Sequence, residues 1–452
     1  MPLLGWLGGL LGNRNMFVAI MIGFVITTAG CGLSVNLTMM VVFRIVQGLI
    51  LGTMEGLTAV ILVGIFPPHQ RGLALGLRAI GWSAGQVIFY ALGGYRIDEL
   101  SWLLVFFLGI PTGIAAAVFG LLVLPQQRDH QGEPVDYLGL LALASFLIPL
   151  LLAISFARDS NTETYTLVLL GLGSATSGAL FVLRELTAPY PVVNLYLFRQ
   201  PAFSMICTVA FLNNVGLFGA LFMVPIFLQR VLGLTPMQAG LVIVPGLIGM
   251  AFSGVIAGKL SDLLAPPIVV GTMMVALSAI FFSFSSVTAT TAITVIVVYV
   301  VLYRMCMIGV VTPMTLLLVQ HIPSDQVRMG QGLLGVVRSI GGVLGVTVTS
   351  VFFERRRVWH QLTAYDTYNL GSPEHQQTLG NLTHYLNEAG ILGASANRAA
   401  LGTIRRLIDT EAIASAFQDS FMLICTCFIL ACLPIVYLLL GSRHSTSPTM
   451  RA

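Results

Sequence analysis

The chain has 452 residues, of which 56% are hydrophobic and only 9% are charged, and its formal net charge is +4 at pH 7. About a quarter of the residues in a soluble domain are charged, so this composition excludes an ordinary soluble protein. The small positive charge does not indicate nucleic-acid binding, because the basic residues follow the membrane topology described below.

Stretches of 18 or more apolar residues recur along the chain, and each is long enough to cross the lipid bilayer as a helix. The sequence therefore predicts an all-α polytopic membrane protein with about twelve complete transmembrane helices. The predicted spans, in chain order, are Met16–Val35, Leu37–Ile65, Gly72–Tyr95, Trp102–Leu124, Tyr137–Phe156, Tyr165–Leu183, Pro201–Phe227, Gln238–Leu260, Pro266–Ser285, Ala292–Val319, Gly330–Phe353 and Phe417–Gly441.

Before the first span, residues Pro2–Leu11 form an apolar stub that is too short to cross the bilayer. The stub has neither the basic start nor the small-residue cleavage site of a signal peptide. We expect it to be the end of a helix whose beginning is missing from the chain.

Arginine and lysine are concentrated in the short loops on one side of the predicted spans, which predicts that this side is cytoplasmic. That side receives Arg14, Arg71, Arg78, Arg128, Arg184, Arg199, Lys259 and Arg328, whereas the opposite short loops receive Arg96, Arg158 and Arg230. The C-terminus is then cytoplasmic, and the long segment 354–416 lies outside. The sequence contains no P-loop and no Cys/His spacing suited to zinc, so we expect neither a cofactor nor a metal site.

Glu55 is the one acidic residue that lies well inside a predicted span. A charge at the bilayer centre costs roughly 2.5–3.5 kcal/mol on insertion scales, so such residues usually have a function. Arg44, Gln47, Gly48 and Glu55 lie at positions i, i+3, i+4 and i+11, so they share one face of the predicted helix. This pattern favours Glu55 as a site that takes up a proton or a cation, with Arg44 and Gln47 ordering the helix contact or relaying protons. The alternative is a buried structural polar cluster.

Arg304 is the second charge deep in a span. The alternative to a functional role is that Arg304 reaches a backbone carbonyl or snorkels. Candidate substrate contacts come from polar or adaptable side chains in other spans, which are equally common as ordinary helix contacts. They are Gln86, Tyr90, Asn213, Asn214 and Met307.

Two stretches of the sequence are similar to each other. Gly5 to Gly12 and Arg14 join two helices by a tight turn, and Gly258 to Asp262 precede Pro266 at an equivalent junction. This spacing resembles the GxLxDxxGR loop of the major facilitator superfamily, and Arg44, Gln47, Gly48 and Gly52 match its RxxQGxxxG motif. Further motifs resemble its fourteen-span drug:proton antiporter branch, among them Leu92-Gly93-Gly94-Tyr95, Leu228-Gln229-Arg230-Val231-Leu232-Gly233 and Arg338-Ser339-Ile340-Gly341-Gly342.

Several family positions differ in this chain. The first span and most of the second, including the Asp motif tied to proton coupling, have no counterpart. Gly9 replaces the usual Asp of the first tight loop, Leu263 replaces a basic residue of the second, and Phe89 and Tyr90 replace the Gly-Pro of the antiporter motif.

The resemblance implies a two-half helical bundle: residues 1–124 as the remaining N-terminal half, 125–200 as a two-helix linker, and 201–452 as the C-terminal half. It also implies alternating-access efflux of small hydrophobic or cationic compounds by proton antiport, across a bacterial inner membrane. In the resembled fold the spans that carry Glu55 and Arg304 are counterparts that line the central cavity, so we expect these two residues to face each other and pair in one state of the cycle. The alternative is a truncated or mis-started, transport-inactive protein. Arg338 is expected to anchor the cytoplasmic gate. The external segment, in which Asn397–Phe421 has helical periodicity, could dock a periplasmic adaptor.

Overall fold

The computed structural model describes residues 4–95, 104–107, 109–125, 136–157, 162–189, 195–323, 326–367, 373–390 and 393–444. In these ranges the chain is helical, with short connections and no β-strand. The α-helices are α1 (Leu4–Gly32), α2 (Leu37–Leu51), α3 (Met54–Ile65), α4 (Arg71–Tyr95), α5 (Leu104–Phe107), α6 (Gly109–Val123), α7 (Tyr137–Phe156), α8 (Thr164–Thr187), α9 (Pro201–Arg230), α10 (Pro236–Leu263), α11 (Pro266–Phe284), α12 (Ile293–His321), α13 (Val327–Thr367), α14 (Pro373–Glu388) and α15 (Ala394–His444).

Ten helical segments among the described residues are long and apolar enough to cross a membrane. They coincide with ten of the twelve predicted spans. The other two predicted spans correspond to the 25-residue helix α4 and to α5 with the 15-residue apolar helix α6. The prediction of an all-α polytopic membrane protein is confirmed.

The predicted span Leu37–Ile65 is not one regular helix, because a turn at Gly52 and Thr53 separates α2 from α3. The Thr53 hydroxyl donates to the Ile50 carbonyl at 3.1 Å, and a glycine precedes it, a combination that loosens the helical ladder. Gly52 and Thr53 keep right-handed helical backbone angles, and the side chain of Glu55 lies outside the described residues, so the shared face of Arg44 and Glu55 remains a prediction.

The first tight turn lies at Gly12, whose φ of 75° and ψ of 158° interrupt α1. This backbone conformation favours glycine, since a side chain would clash with the adjacent carbonyl. The second tight turn is the two-residue connection between α10, which ends at Leu263, and α11, which begins at Pro266. We call the end of the bundle that carries the α10–α11 connection the inner end and the opposite end the outer end.

The N-terminal half (α1–α6) meets the C-terminal half (α9–α15) most closely where α4 runs antiparallel to α10. Gly72 and Gly76 of α4 face Gly258 and Gly254 of α10 so closely that a Cβ at any of the four would overlap atoms of the opposite helix. Farther along α4, a Cβ added at Gly81 or Gly85 would meet no atom within 4 Å. The closest backbone approach lies at the first turns of α4, and Ala79 extends the contact against Gly254.

Asp262 adds a polar connection at the same place. Its carboxylate accepts hydrogen bonds from the backbone N–H groups of Gly72 at 2.8 Å and Leu73 at 2.9 Å. These are among the first N–H groups of α4, which have no partner inside the helix, and the helix dipole favours a negative charge there. A side chain of the C-terminal half thus caps a helix of the N-terminal half.

Helices α7 and α8 pack mainly against each other and join at their inner ends through an ion pair. Asp136 accepts hydrogen bonds from Arg184 Nε at 2.8 Å and Nη2 at 3.0 Å, and its Oδ1 also caps α7 at the Gly139 N–H. The hydrogen bond from Arg184 is the largest cause that holds the pKa of Asp136 below its ordinary value of 3.8, and burial opposes it.

The external segment is mostly helical. Helices α13 and α15, of 41 and 51 residues, continue beyond the length that a bilayer requires, and α14 packs beside α15. The helical prediction for Asn397–Phe421 is confirmed by α15. Asp419 of α15 binds Arg356 at 2.5 Å and His360 at 2.7 Å, both on α13. We call this three-helix region the outer extension (354–367, 373–390 and 393–416).

A Gly258→Ala substitution is expected to destabilise the protein, because the added methyl group would overlap the Gly72 carbonyl and force α4 away from α10. We expect a loss of about 1–3 kcal/mol, typical of overpacking a tight contact, measured by thermal unfolding in detergent. Gly81→Ala is the matched control, since nothing lies near its Cβ position and alanine is the better helix former. Equal stability of the two variants would contradict the assigned contact.

The Asp136–Arg184 pair predicts a defined pH dependence. The folded-state pKa of Asp136 is lowered, so the ionised carboxylate stabilises the fold at pH values above its unfolded-state pKa. This contribution is lost as the pH falls through the folded-state pKa, which lies below 3.8. Asp136→Asn keeps an Asn cap and is expected to cost about 1 kcal/mol near neutral pH. Thermal unfolding should show this difference shrinking in strong acid; a difference that is constant with pH would refute the ion pair.

Candidate functional site

A cleft lies between the two halves, beside the close contact of α4 and α10. It is narrow in this structure, with a cavity volume of about 10 Å³, which is room for about one water molecule. The N-terminal half contributes residues of α3 and α4, and the C-terminal half contributes residues of α12 and α13. The lining residues are Gly52, Thr53, Gly56, Ala59, Arg78, Thr315, Gln331, Gly332, Gly335 and Arg338.

Glycines make the space for this cleft. Gly52 and Gly56 lie one turn apart on the α3 side, and Gly332 and Gly335 lie three residues apart on α13. Because these positions have no side chain, the two helix backbones form the walls, and the longer polar side chains reach the cleft from α4 and α13. An apolar cluster that includes Ala59, Val63, Leu75 and Leu316 packs next to it.

The polar groups of the cleft come from both halves. Arg78 donates from Nη1 to the Thr58 hydroxyl at 3.3 Å. Gln331 is 5% exposed, and its Nε2 is buried with no hydrogen-bond partner among the described residues. The hydroxyl of Thr315 donates to the Val311 carbonyl at 3.0 Å, so its oxygen remains an acceptor. The site thus combines two guanidinium groups with an amide and two hydroxyls.

Of the predicted site residues whose side chains the structure describes, only Arg338 and Gly52 line this cleft. Glu55 lies on α3, three residues after Gly52 and four before Ala59, and its side chain lies outside the described residues. Its backbone position on the cleft-forming helix fits the predicted role, which remains a prediction.

Arg44 and Gln47 form a polar chain that leads to α1 instead of the cleft. Arg44 Nη1 donates to Gln47 Oε1 at 3.0 Å, and Gln47 Nε2 donates to the Thr28 hydroxyl at 2.8 Å. The Arg44 guanidinium also lies 4.7 Å from the centre of the Phe106 ring. Gln47 therefore connects α2 to α1, while Gly48 has open space around it.

Arg304 is buried inside the C-terminal half, with 3% of its surface exposed. Its Nε donates to the Tyr303 hydroxyl at 3.0 Å, and its aliphatic stem fits against Gly246 of α10. Tyr303 in turn packs in an aromatic cluster with Phe281 and Phe284. Arg304 is not among the residues that line the cleft, and its pairing with Glu55 remains a prediction.

The predicted pocket residues lie at different depths. Asn214 donates to the Ala210 carbonyl of its own helix at 2.8 Å, and Met307 belongs to the C-terminal core. Asn213 Oδ1 is buried and has no hydrogen-bond partner among the described residues. Gln86 is partly buried on α4, whereas the side chain of Tyr90 lies outside the described residues.

The remaining motif residues lie near the turn in α1, at the end of α4 and at the contact between the two halves. Gly5 and Arg14 flank Gly12 on α1, and Gly93 and Gly94 lie in the last turn of α4. Gly258 and Asp262 form the contact between the halves.

Four cleft residues were not predicted from the sequence: Arg78, Gln331, Thr53 and Thr315. Arg78 could have been predicted, because it lies six residues inside a predicted span, although it was assigned to the inner loops. The other three are uncharged, and their position becomes informative only when α3, α12 and α13 are placed together.

Comparison with curated proteins finds multidrug exporters. The chain is 27% identical over 354 residues to the multidrug resistance protein B homolog of Mycobacterium tuberculosis, covering 77% of this chain and 66% of the relative. It is 24% identical over 384 residues to the multidrug export protein EmrB of Escherichia coli, covering 84% and 75%. It is 27% identical over 451 residues to the fatty acid resistance protein FarB of Neisseria gonorrhoeae, covering 98% and 86%. The chain thus spans slightly less than two thirds of the first of these relatives.

Comparison with solved structures identifies the same fold. The human organic anion transporter MFSD10 superimposes with a TM-score of 0.60 at 14% identity, covering 96% of this chain and 79% of that one. The proton:xylose symporter XylE gives a TM-score of 0.52 at 15% identity, covering 96% and 81%. The family model of the Major Facilitator Superfamily matches residues 1–346. The expected resemblance to the drug-exporting branch is confirmed by the named relatives, and the chain belongs to the Major Facilitator Superfamily.

Proposed function

We propose that this protein is a secondary active exporter of small hydrophobic or cationic compounds, driven by proton antiport. The observation that carries the proposal is the cleft between the two halves, lined by polar side chains from both. A site shared by two halves changes shape when they move against each other, as alternating access requires. The names of the relatives, which include multidrug exporters and a fatty acid resistance protein, support lipophilic substrates.

The contact of α4 with α10 gives this motion a mechanical basis. The four glycines and the Asp262 cap hold the halves together at the inner end. In our proposal, opening toward the inner side breaks the Asp262 hydrogen bonds and separates the glycine faces, which exposes the cleft.

We assign proton coupling to Glu55. It is the acidic residue within a transmembrane segment of the N-terminal half, and its backbone lies between two cleft-lining residues of the same helical region. A carboxyl group can take up and release a proton, which a proton antiporter requires. Protonation and substrate binding could then alternate at one site.

The outer extension is the proposed contact with a periplasmic adaptor, in a bacterial inner membrane with the C-terminus on the cytoplasmic side. The long helices α13 and α15 carry this region beyond the bilayer. Val358, Leu362 and Leu407 expose 42%, 60% and 62% of their surface there, which leaves apolar area for a protein partner.

Efflux assays test the function. In everted membrane vesicles, where the cytoplasmic side faces outward, the wild-type protein is expected to carry ethidium and similar compounds into the lumen. It should do so only while a proton gradient is present. Glu55→Gln should reduce this efflux to the rate of vesicles without the protein, because the amide cannot exchange a proton. Glu163→Gln, which changes an acidic residue at the start of α8 outside the cleft, is the matched control.

Normal proton-driven efflux by Glu55→Gln would exclude Glu55 as the coupling residue. The absence of efflux by the wild-type protein, despite its correct insertion, would instead favour the transport-inactive alternative.

A further inference from the structure

The cleft lies in the inner part of the bundle, where helices of the two halves meet. Gln331 lies four residues after the start of α13 and Thr315 lies six residues before the end of α12, so both are within about 10 Å of the inner ends of their helices at 1.5 Å per residue. Next to them, Val63 and Leu75 of the N-terminal half share an apolar cluster with Leu316 of the C-terminal half. A group that bridges the cleft therefore helps to hold the inner end closed.

The cavity in the cleft has the size of a site for one water molecule. Its volume of about 10 Å³ is close to the smallest that accommodates a water. A buried water typically makes about three hydrogen bonds to polar groups that would otherwise lack a partner. The polar groups around the cavity therefore decide whether a water is stable there.

Gln331 supplies a hydrogen-bond donor to the cavity. Its side chain is 5% exposed, and its Nε2 is buried with no hydrogen-bond partner among the described residues. A buried donor without a partner costs free energy unless water or a ligand accepts its hydrogen bond. A water in the cavity would remove this cost.

Two threonine hydroxyls supply acceptors, one from each half. Thr53 and Thr315 both line the cavity and are buried. The Thr53 hydroxyl donates to the Ile50 carbonyl at 3.1 Å, and the Thr315 hydroxyl donates to the Val311 carbonyl at 3.0 Å. A hydroxyl oxygen that donates its proton still has lone pairs to accept a hydrogen bond. Each threonine can therefore accept a hydrogen bond from a water while it keeps its bond to the backbone.

We propose that the cavity binds one water molecule, which accepts a hydrogen bond from Gln331 Nε2 and donates one each to the Thr53 and Thr315 hydroxyl oxygens. Thr53 belongs to the N-terminal half and the other two residues to the C-terminal half, so the water links the halves and stabilises the closed inner end. All three side chains are uncharged, so the link does not depend on the charges near the cleft. The link rests on the proposed function, because opening toward the inner side is the motion that it opposes.

A Gln331→Leu substitution distinguishes a donor that binds water from a donor that binds nothing. If the water is present, leucine removes one of its three hydrogen bonds, and the closed inner end becomes less stable. If the donor has no partner, the apolar side chain removes the cost of burying it, and the closed inner end becomes more stable. The two cases therefore predict changes of opposite sign.

Amide hydrogen exchange measures how often the inner end opens. The N–H groups of Gly72 and Leu73 donate to Asp262 of the opposite half, so they exchange when the halves separate there. For the full chain in phosphatidylcholine nanodiscs, we expect Gln331→Leu to speed exchange of the peptide that contains these two amides about two- to tenfold, as the loss of one hydrogen bond predicts. Exchange around Phe421, in the buried part of α15, should not change.

Two threonine variants form a matched pair. Thr315→Val and Thr349→Val each remove a buried hydroxyl that donates to the carbonyl four residues earlier, but Thr349 is not among the residues that line the cavity. Thr315→Val should speed exchange at the start of α4, whereas Thr349→Val should not. Combining Thr315→Val with Gln331→Leu should give less than the product of the two effects, because both residues bind the same water.

Thermal unfolding checks that each variant is folded, and Thr315→Val decides the question if Gln331→Leu is not. A high-resolution cryo-EM map of the wild-type protein should show a water 2.7–3.2 Å from Gln331 Nε2, the usual range for a hydrogen bond. Slower or unchanged exchange in folded Gln331→Leu, or unchanged exchange in Thr315→Val, would overturn the inference.

Efflux assays separate the water link from the exporter function. If the variants change exchange as expected but the wild-type protein exports no compound, the exporter function is wrong and the water link stands. If ethidium efflux is proton-driven but Gln331→Leu slows exchange, the water link is wrong and the exporter function stands.

Discussion

The contact between α4 and α10 is the constraint on which the arrangement of the two halves depends. Four glycines bring the helix backbones together, and the Asp262 carboxylate caps the first turn of α4 from the opposite half. In lipid, where apolar side chains gain nothing by leaving the solvent, close packing and hydrogen bonds of this kind hold helices together. The cleft lies directly beside the contact, so its shape depends on how the halves meet.

Most polar groups within the membrane are satisfied close to where they lie in the sequence or on the adjacent helix. Gln47 binds Thr28, Arg304 binds Tyr303, and Asn214 binds the Ala210 carbonyl. Such bonds explain why these residues are tolerated in hydrocarbon without giving them a direct role in transport. The buried donor of Gln331 is different, because it faces the cleft and no described group accepts its hydrogen bond.

Helix α13 connects the cleft with the outer extension. Its inner part carries Gln331 and Arg338, and its outer part carries Arg356 and His360, which bind Asp419 of α15. A helix of 41 residues is about 60 Å long, which exceeds the thickness of a bilayer. Since a packed helix moves largely as a rigid element, a shift of α13 at the cleft would also reposition the outer extension.

The helical membrane class, the approximate positions of the spans and the family could all be predicted from the amino-acid sequence. These follow from hydropathy and from local motifs, which do not depend on how helices are rotated against each other. The sequence also located Asp262 and Gly258 at a junction. It did not show that they touch Gly72, which lies 190 residues away from Asp262 in the chain.

The polar residues that share a site could be identified only from the packing of the helices. Glu55, Arg44 and Arg304 stood out in the sequence because each charge is costly in a span, yet Arg44 and Arg304 were placed with Gln47 and Tyr303, outside the cleft lining. Arg78, Gln331 and Arg338 come together only because the glycines of α4 and α10 allow the halves to approach. Hydropathy measures how well a residue is suited to lipid, whereas a binding site depends on which helix faces meet.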